Sequence, residues 1–192
     1  MKTDKITKLI VASLSLLLFL NFSVLAQTNY TIASGTELKI TGGSSLHDWE
    51  MISKDAKGSA VFTITGNSIN SAQSLKVNAE AESLKSGTRG LDNNAYKALK
   101  TSQHKQISFT LKELSGSAPN FTAKGDFTIA GVTKSASFPI KLTQSGNNLV
   151  FEGSYDTKLT NFSIDPPTAL MGTVKTRDDV TIHFKTIFQP TK

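Results

Sequence analysis

The stretch FTAKGDFTIAGVTKSASFPIKL, residues 121–142, consists of two strand-like segments joined by a short turn at 130–132. In the second segment, Phe138, Ile140 and Leu142 alternate with a proline and a lysine. Successive side chains of a β-strand point to opposite faces, so this alternation predicts one buried face and one solvent-facing face. The stretch therefore predicts a hairpin of an antiparallel sheet that is covered on one side.

The same two-residue period recurs along most of the chain, in LKVNAEAESL (75–84), QISFTLKEL (106–114) and VTIHF (180–184). Turn-forming residues separate these segments, and many strands with short turns favour a barrel or a sandwich. We expect an all-β protein of about eight antiparallel strands with one further strand at the end. The predicted strands are 29–40, 46–54, 56–65, 73–84, 106–114, 120–130, 134–144, 148–160 and 177–188.

Two stretches interrupt the strand pattern. LDNNAYKALKT (91–101) has apolar residues at helical spacing from Leu91 to Leu99, which predicts a short amphipathic helix with Asp92 as its N-cap. IDPPTALMG (164–172) contains two successive prolines and is predicted to be an extended loop or a single helical turn.

The N-terminus has the features of a secretory signal peptide. Residues 1–8 are basic, residues 9–20 are almost wholly apolar, and small residues at 24 and 26 form an A-x-A-like cleavage site. The apolar run is too short to span a bilayer core of about 30 Å. We therefore expect cleavage before Gln27, a single domain over residues 27–192, and a periplasmic or secreted location.

Composition excludes several classes of function. The 192-residue chain contains no cysteine, which rules out thiol catalysis and thiolate metal sites. Its formal net charge is +6, but the lysines are scattered and the only arginines are Arg89 and Arg177. Nucleic-acid binding usually requires clustered basic residues with interleaved aromatics. We expect no nucleic-acid partner, and at most a weak attraction to an anionic membrane surface.

The motif SSLHDW (44–49) contains the three residue types of a hydrolase triad, in Ser45, His47 and Asp48. In a strand, Ser45 and His47 would share one face and Asp48 would lie on the other, so these neighbours could not form a triad with one another. The chain also has no G-x-S-x-G motif. We expect His47 and Asp48 to make local hydrogen bonds near a barrel rim, and we predict no catalytic residue. A hydrolase using His47 is the least favoured alternative.

Histidine placement does not predict a metal site. His47, His104 and His183 are far apart in sequence, and His183 alternates with apolar residues and should face solvent. A metal site needs several ligands converging, usually with a carboxylate or thiolate among them. We therefore predict neither a metal nor a cofactor.

Three segments in order, 87–111, 121–142 and 159–184, resemble the YceI-like family of lipocalin-like periplasmic proteins. The first is a loop and helix leading into an ISF strand, the second contains GDFTIAGVTK, and the third contains NFSID followed by VTIHF. The resemblance runs from about Tyr30 to Phe188. It implies an eight-stranded antiparallel lipocalin-like β-barrel with one short helix at its mouth, and an interior that binds isoprenoid lipids or quinones.

Phenylalanine is frequent in the predicted strands, mostly on the apolar side. Burial of a hydrocarbon chain against such a wall gains about 25 cal/mol per Å² of apolar surface.

The leading expectation is an exported carrier of a long-chain apolar lipid, with the helix as a cap. The alternative is a sealed structural or stress-response barrel acting through surface contacts. Oligomeric state is left open, with a homodimer as one alternative. The expected cavity-lining residues are Trp49, Phe62, Tyr96, Leu99, Phe109, Phe127, Phe151, Phe162 and Met171.

Overall fold

The structure is a computed structural model that describes residues 27–65 and 68–191. The predicted signal peptide, residues 1–26, lies outside the described residues, so its cleavage stays a prediction. The described part contains eleven strands, one α-helix and three short 3-10 helices. The first strands are β1 (Gln27–Ile32), β2 (Glu37–Ser44), β3 (Asp48–Ser53), β4 (Ala56–Thr65) and β5 (Ser68–Glu80).

Helix α1 (Arg89–Ala98) follows β5 after a 3-10 turn at Ala81–Ser83. A second 3-10 turn, Leu159–Phe162, and a third, Leu170–Gly172, both lie in the connection before the last strand. The remaining strands are β6 (Gln106–Ser117), β7 (Asn120–Ile129), β8 (Val132–Ser145), β9 (Asn148–Lys158), β10 (Thr168–Ala169) and β11 (Val174–Pro190).

The sheet closes on itself. The hydrogen-bonded order is β1-β4-β5-β6-β7-β8-β9-β11, and β11 returns to β1 through the pairs Tyr30↔Pro190 and Ile32↔Phe188. Every one of these pairings is antiparallel. Strand β2 lies on the same edge of β11 as β1, and β3 pairs with β2 and leads into β4. The fold is therefore the predicted eight-stranded antiparallel barrel. Strands β2 and β3 are additional to these eight and continue the sheet from the edge of β11 that also pairs with β1.

The turn of the hairpin predicted over residues 121–142 contains two residues with positive φ. Ala130 (φ 50°) and Gly131 (φ 80°) connect β7 to β8, whose last pair is Ile129↔Val132. Two successive left-handed residues form the turn that matches the twist of antiparallel strands. A turn at these positions was predicted from the sequence.

Several predicted boundaries move for local reasons. The predicted strand 29–40 is split into β1 and β2 because Gly35 adopts a positive φ of 86° between them. The predicted helix 91–101 begins at Arg89, and its N-cap is Thr88 instead of Asp92. The loop 164–172 contains both an extended segment and a helical turn, so both readings of that stretch apply to parts of it.

Small residues allow aromatic rings to pack across neighbouring strands. A Cβ atom added to Gly125 of β7 would collide with the ring of Phe109 and the carbonyl oxygen of Thr110. A Cβ atom added to Gly90, in the first turn of α1, would meet nothing within 4 Å. The glycine in the barrel wall is thus required by packing, and the helical glycine is not.

We expect Gly125→Ala to lower the free energy of unfolding by about 1–3 kcal/mol, because the methyl group overpacks the Phe109 ring. The matched substitution Gly90→Ala should leave it unchanged or raise it by up to about 1 kcal/mol. Urea denaturation of both variants measures the difference. Equal stabilities would show that the Phe109 contact does not restrict position 125.

Candidate functional site

The barrel interior contains an apolar cavity with a volume of about 110 Å³. Its accessible wall is almost entirely carbon, because the inward positions of eight strands carry aliphatic and aromatic side chains. The main wall residues are Leu38, Ile40, Phe62, Leu75, Val77, Leu84, Ile107, Phe109, Phe127, Phe138, Phe151, Ile182 and Phe184.

Two hydroxyl groups on the wall bond to other protein atoms. The Ser53 hydroxyl lies 2.7 Å from the Ser83 hydroxyl, and the Thr186 hydroxyl donates a long bond of 3.5 Å to the Phe151 carbonyl. Among the described residues, every buried side-chain nitrogen or oxygen has a partner. A molecule in the cavity would therefore meet mainly apolar surface, which favours a hydrocarbon over a polar ligand.

One end of the barrel is closed by a group of buried residues that we call the terminal plug. It lies toward the end that carries residues 27 and 190, and its members are buried but do not line the cavity. Burial raises the pKa of the Tyr30 hydroxyl above its ordinary value. The members of the terminal plug are Tyr30, Phe121, Leu142, Leu149 and Phe188.

At the opposite end, residues 81–86 form a strap over the cavity. Within the strap, Leu84 is buried and lines the cavity. Two backbone hydrogen bonds of 2.9 Å join Lys85 to Ile52 of β3, in an isolated bridge. This backbone bridge and the contact between the Ser53 and Ser83 hydroxyls join the strap to β3, so the wall is held here by fewer bonds than a full ladder supplies.

Helix α1 fixes the strap through Tyr96. The Tyr96 hydroxyl lies 2.7 Å from the Leu84 carbonyl, to which it donates, and it accepts a 2.7 Å hydrogen bond from Nζ of Lys85. That hydrogen bond raises the pKa of Lys85. The helix therefore acts on the cavity through the strap, without contributing a side chain to the wall.

Asp92 binds the other end of the strap. Its carboxylate accepts hydrogen bonds from the Ser86 amide at 2.8 Å and the Ser86 hydroxyl at 2.7 Å. Partial burial acts to raise the pKa of Asp92, but the two bonds from Ser86 outweigh it and hold the pKa below its ordinary value. The residue predicted as a helix cap thus fixes the loop that precedes the helix.

The barrel wall also loosens between β5 and β6. These strands pair only from Lys76↔Thr110 to Glu80↔Gln106 within the described residues. Beyond this ladder, Leu75, Leu111 and Leu114 are half-buried and line the cavity. The cavity therefore approaches the surface where β5 and β6 diverge.

Of the nine residues predicted to line a cavity, four lie on this wall: Phe62, Phe109, Phe127 and Phe151. Their rings form two pairs. The centroids of Phe109 and Phe127 are 4.8 Å apart, and those of Phe62 and Phe151 are 5.7 Å apart. Contact of these four with a ligand stays a prediction.

The other five predicted residues do not lie on the wall of this cavity, and their contact with a ligand also stays a prediction. Trp49 lies across Gly42 beyond the cavity, and its indole N–H donates to the Gly43 carbonyl at 3.1 Å. Tyr96 holds the strap, and Leu99 packs against the core from the end of α1.

Phe162 and Met171 both belong to the connection before β11. Phe162 is buried, but it packs in the core above the cavity without lining it. Met171 is fully exposed, at 106% of its reference area, because a left-handed turn (φ 56°) directs it into solvent. The Pro-Pro loop thus carries its methionine outward.

Sequence reasoning missed several wall residues, including Leu38, Leu84, Phe138 and Phe184. The alternation in SFPIKL and VTIHF already placed Phe138 and Phe184 on an apolar face. Leu84 had no such signal, because it follows a 3-10 turn that interrupts the alternation of β5.

The motif SSLHDW forms the turn between β2 and β3, so the predicted strand start at 46 is wrong and β3 begins at Asp48. The Ser45 hydroxyl accepts from the Lys175 amide at 3.1 Å, and His47 Nδ1 lies 2.7 Å from the Asp48 carbonyl. The Asp48 carboxylate pairs with Arg177 at 3.5 Å. Each side chain is engaged with a different partner, and the three do not form a triad.

The histidines do not converge. His183 lies on the outer face of β11 with Nε2 3.0 Å from the Thr41 hydroxyl, and the ring of His104 packs beside Gly131. No group of three or more His, Asp or Glu side chains suited to a metal occurs among residues 27–65 and 68–191. In the same residues, no helix has the length and apolar character needed to cross a membrane.

We expect Tyr96→Phe to loosen the strap, because the Leu84 carbonyl and the Lys85 ammonium lose a shared partner. Loss of one such bond should cost about 1 kcal/mol. Hydrogen exchange of the Lys85 and Ile52 amides should become faster. Tyr155→Phe removes a hydroxyl elsewhere in the barrel, and equal acceleration in both variants would contradict the assigned role of Tyr96.

A pH dependence follows from the lowered pKa of Asp92. A carboxyl whose pKa is depressed by folding stabilises the folded state above its unfolded pKa of about 4, and this contribution is lost as the pH falls through the folded pKa. We expect the Ser86 amide resonance to titrate with a midpoint below about pH 4. Asp92→Asn should abolish this titration, and a midpoint above that value would refute the assignment.

Comparison with known proteins places this geometry among related barrels. The model of the YceI-like domain matches residues 30–188. No functionally curated protein matches the chain by sequence.

Solved structures with the same fold include BcnA of Burkholderia cenocepacia, with a TM-score of 0.66 and 16% identity over 79% of this chain and 95% of that one. A polyisoprenoid-binding domain from Saccharophagus degradans, implicated in plant cell wall breakdown, has a TM-score of 0.65 and 9% identity over 84% and 98% of the two chains. The YceI protein of Campylobacter jejuni has a TM-score of 0.57 and 19% identity over 72% and 82%. These structures are similar to this chain in fold, and because the domain model covers most of its residues, the chain belongs to the YceI-like family.

Proposed function

We propose that this protein is an exported carrier that holds one apolar lipid, of the isoprenoid or quinone type, inside its barrel. The observation that carries the proposal is the continuous carbon wall of the cavity, within a barrel closed by strand pairing. An isoprenoid chain offers no hydrogen-bonding groups along its length, so it would lose little on entering such a wall. It would gain about 25 cal/mol for each Å² of apolar surface removed from water.

Family membership supports this ligand class. The similar domain from Saccharophagus degradans is described as polyisoprenoid-binding. The wall of this chain's cavity has the apolar character that such a ligand needs. The apolar side chains of this cavity therefore support the proposed ligand class more directly than the similarity in fold does.

The size of the cavity determines how loading must occur. A volume of about 110 Å³ is smaller than the roughly 300–1,000 Å³ typical of ligand pockets. A long chain could enter only if wall side chains move aside, and the bound form would then be a wider state of the same barrel. The strap, with one backbone bridge to β3, and the divergence of β5 from β6 are two places beside the cavity where the pairing between segments is short.

A sealed barrel acting through its surface is the second candidate, and the small volume of the cavity favours it. The rings of Phe109, Phe127 and Phe138 lie within 4.8–5.8 Å of one another and already fill much of the interior. The two candidates differ in one measurable property, because only the carrier retains lipid after purification.

Export is part of the proposal and rests on the sequence of residues 1–26. The match to the family domain begins at residue 30, just after the predicted cleavage position. Expression of the full chain in a Gram-negative host should yield a periplasmic protein whose N-terminal residue is Gln27. An uncleaved chain, or one retained in the cytoplasm, would contradict export and leave lipid binding to be judged separately.

The carrier function is tested by native mass spectrometry of the protein purified without detergent, combined with organic extraction of the same sample. We expect one added mass that extracts as an isoprenoid alcohol, an isoprenoid phosphate or a quinone. A bare protein, unchanged after incubation with such lipids, would favour the sealed barrel and reject the carrier.

A matched pair of variants ties the bound lipid to this cavity. Ala123 is buried on the wall, and its neighbour Thr122 is exposed on the outer face of the same strand. Ala123→Phe should fill the cavity and lower lipid occupancy at least about tenfold, at a stability cost of about 1–3 kcal/mol. Thr122→Phe should retain the lipid. Equal occupancy in both folded variants would show that the lipid binds elsewhere.

A further inference from the structure

Phe62 separates the cavity from the terminal plug. Its side chain lines the cavity, yet its exposed fraction is 0%, so its ring contacts protein atoms on every other side. Beyond it lie buried residues that do not line the cavity. Phe62 is therefore the boundary between the open part and the filled part of the barrel.

Three aromatic rings hold Phe62 in this position. Its centroid lies 5.4 Å from that of Tyr30, 5.7 Å from that of Phe151 and 6.2 Å from that of Phe188. Tyr30 and Phe188 belong to the terminal plug, whereas Phe151 lines the cavity. Edge-to-face and tilted arrangements at these distances are favourable for aromatic pairs, so the ring is fixed between the two regions.

The backbone at Phe62 is adapted to this ring. Strand β4 pairs with β5 through Val61↔Ser74 and then Phe62↔Ala72, so Gln73 is an extra residue opposite this point. Such a bulge changes the direction of the side chains beside it. The partner directly opposite, Ala72, is small, and it leaves room for a large side chain to cross the interior.

We propose that Phe62 is the floor of the binding cavity and sets the longest isoprenoid chain that the protein accepts. A chain that reached the Phe62 ring could extend only by entering space that the terminal plug already fills. With a smaller residue at this position, the cavity would reach Tyr30 and Phe188 and hold at least one more isoprene unit. This inference rests on the proposed lipid-carrier function, but its geometric part can be measured without a lipid.

The test compares the mature wild-type protein with Phe62→Ala and Phe62→Leu. Each is incubated with phosphatidylcholine vesicles carrying an equimolar series of prenyl alcohols, from farnesol to solanesol, and bound chain lengths are read by native mass spectrometry. We expect the preferred alcohol to lengthen by at least one isoprene unit in Phe62→Ala, with at least about a tenfold change in the ratio of longer to shorter chains. Phe62→Leu should shift the ratio in the same direction but by a smaller factor. If Phe62→Ala does not fold, the result for Phe62→Leu decides the test.

Phe162→Ala is the matched control. Phe162 is also a fully buried phenylalanine, but it lies at the opposite end of the barrel and does not line the cavity. The control should lose stability without lengthening the preferred chain. An unchanged preference in the folded Phe62 variants, or the same lengthening in Phe162→Ala, would overturn the floor assignment.

Xenon binding in crystals separates the inference from the proposed function. Xenon should occupy the space between position 62 and the terminal plug in the Phe62→Ala protein and not in the wild type. If the wild type binds no prenyl alcohol, the lipid-carrier function fails, and xenon still decides whether Phe62 is the floor. If the variant shows no new xenon site, the floor assignment fails even where lipid is bound.

Discussion

The pairing of β1 with β11 is the constraint on which the barrel depends. Only three residue pairs join these strands, from Tyr30↔Pro190 to Ile32↔Phe188, yet they turn an open sheet into a ring. A closed ring removes the unpaired edges that an open sheet would expose. It also surrounds the inward side chains on all sides, which allows the interior to be almost entirely apolar. The cavity and the terminal plug both lie inside the ring that this contact closes.

Within the ring, aromatic packing decides how much of the interior is filled. Closely packed interiors leave few voids, because an empty space forfeits the attraction of the atoms around it. Here the rings of the terminal plug fill one end, and rings such as Phe127 and Tyr155, stacked with centroids 5.5 Å apart, fill part of the other. The remaining space is lined by aliphatic and aromatic side chains, and the widening proposed for lipid loading would require these side chains to change rotamer.

The architecture could be predicted from the sequence more fully than the site. Alternation of apolar residues in segments such as 138–142 and 180–184 determines which face is buried, and the structure confirms the barrel that this pattern and the family resemblance predicted. The wall of the cavity depends instead on which buried residues leave space beside them. Phe62 and Phe188 have the same side chain and are equally buried, but only Phe62 lines the cavity.

The other differences between the expected and the observed wall concern segments at the ends of strands or without a regular period. Met171 lies where a turn determines the direction of the side chain, and Trp49 lies in β3 at its pairing with Gly42, beyond the cavity. Leu84 lies on the wall in a strap that is held by Tyr96 of α1 and by the bridge from Lys85 to Ile52. Hydrogen bonds between segments that are far apart in sequence leave no periodic pattern, so these positions could not be derived from the sequence alone.

The closure of the ring also has a consequence for how the chain folds. Ile32 and Phe188 lie near opposite ends of the sequence, so the last contact of the barrel has one of the longest sequence separations in the molecule. Folding rates fall as the mean sequence separation of native contacts rises, because the entropy of closing a long loop is lost before the contact stabilises it. A nascent chain cannot complete the barrel until its final strand has been synthesised. Until then the ring stays open, so the closed barrel forms only after the whole chain has left the ribosome.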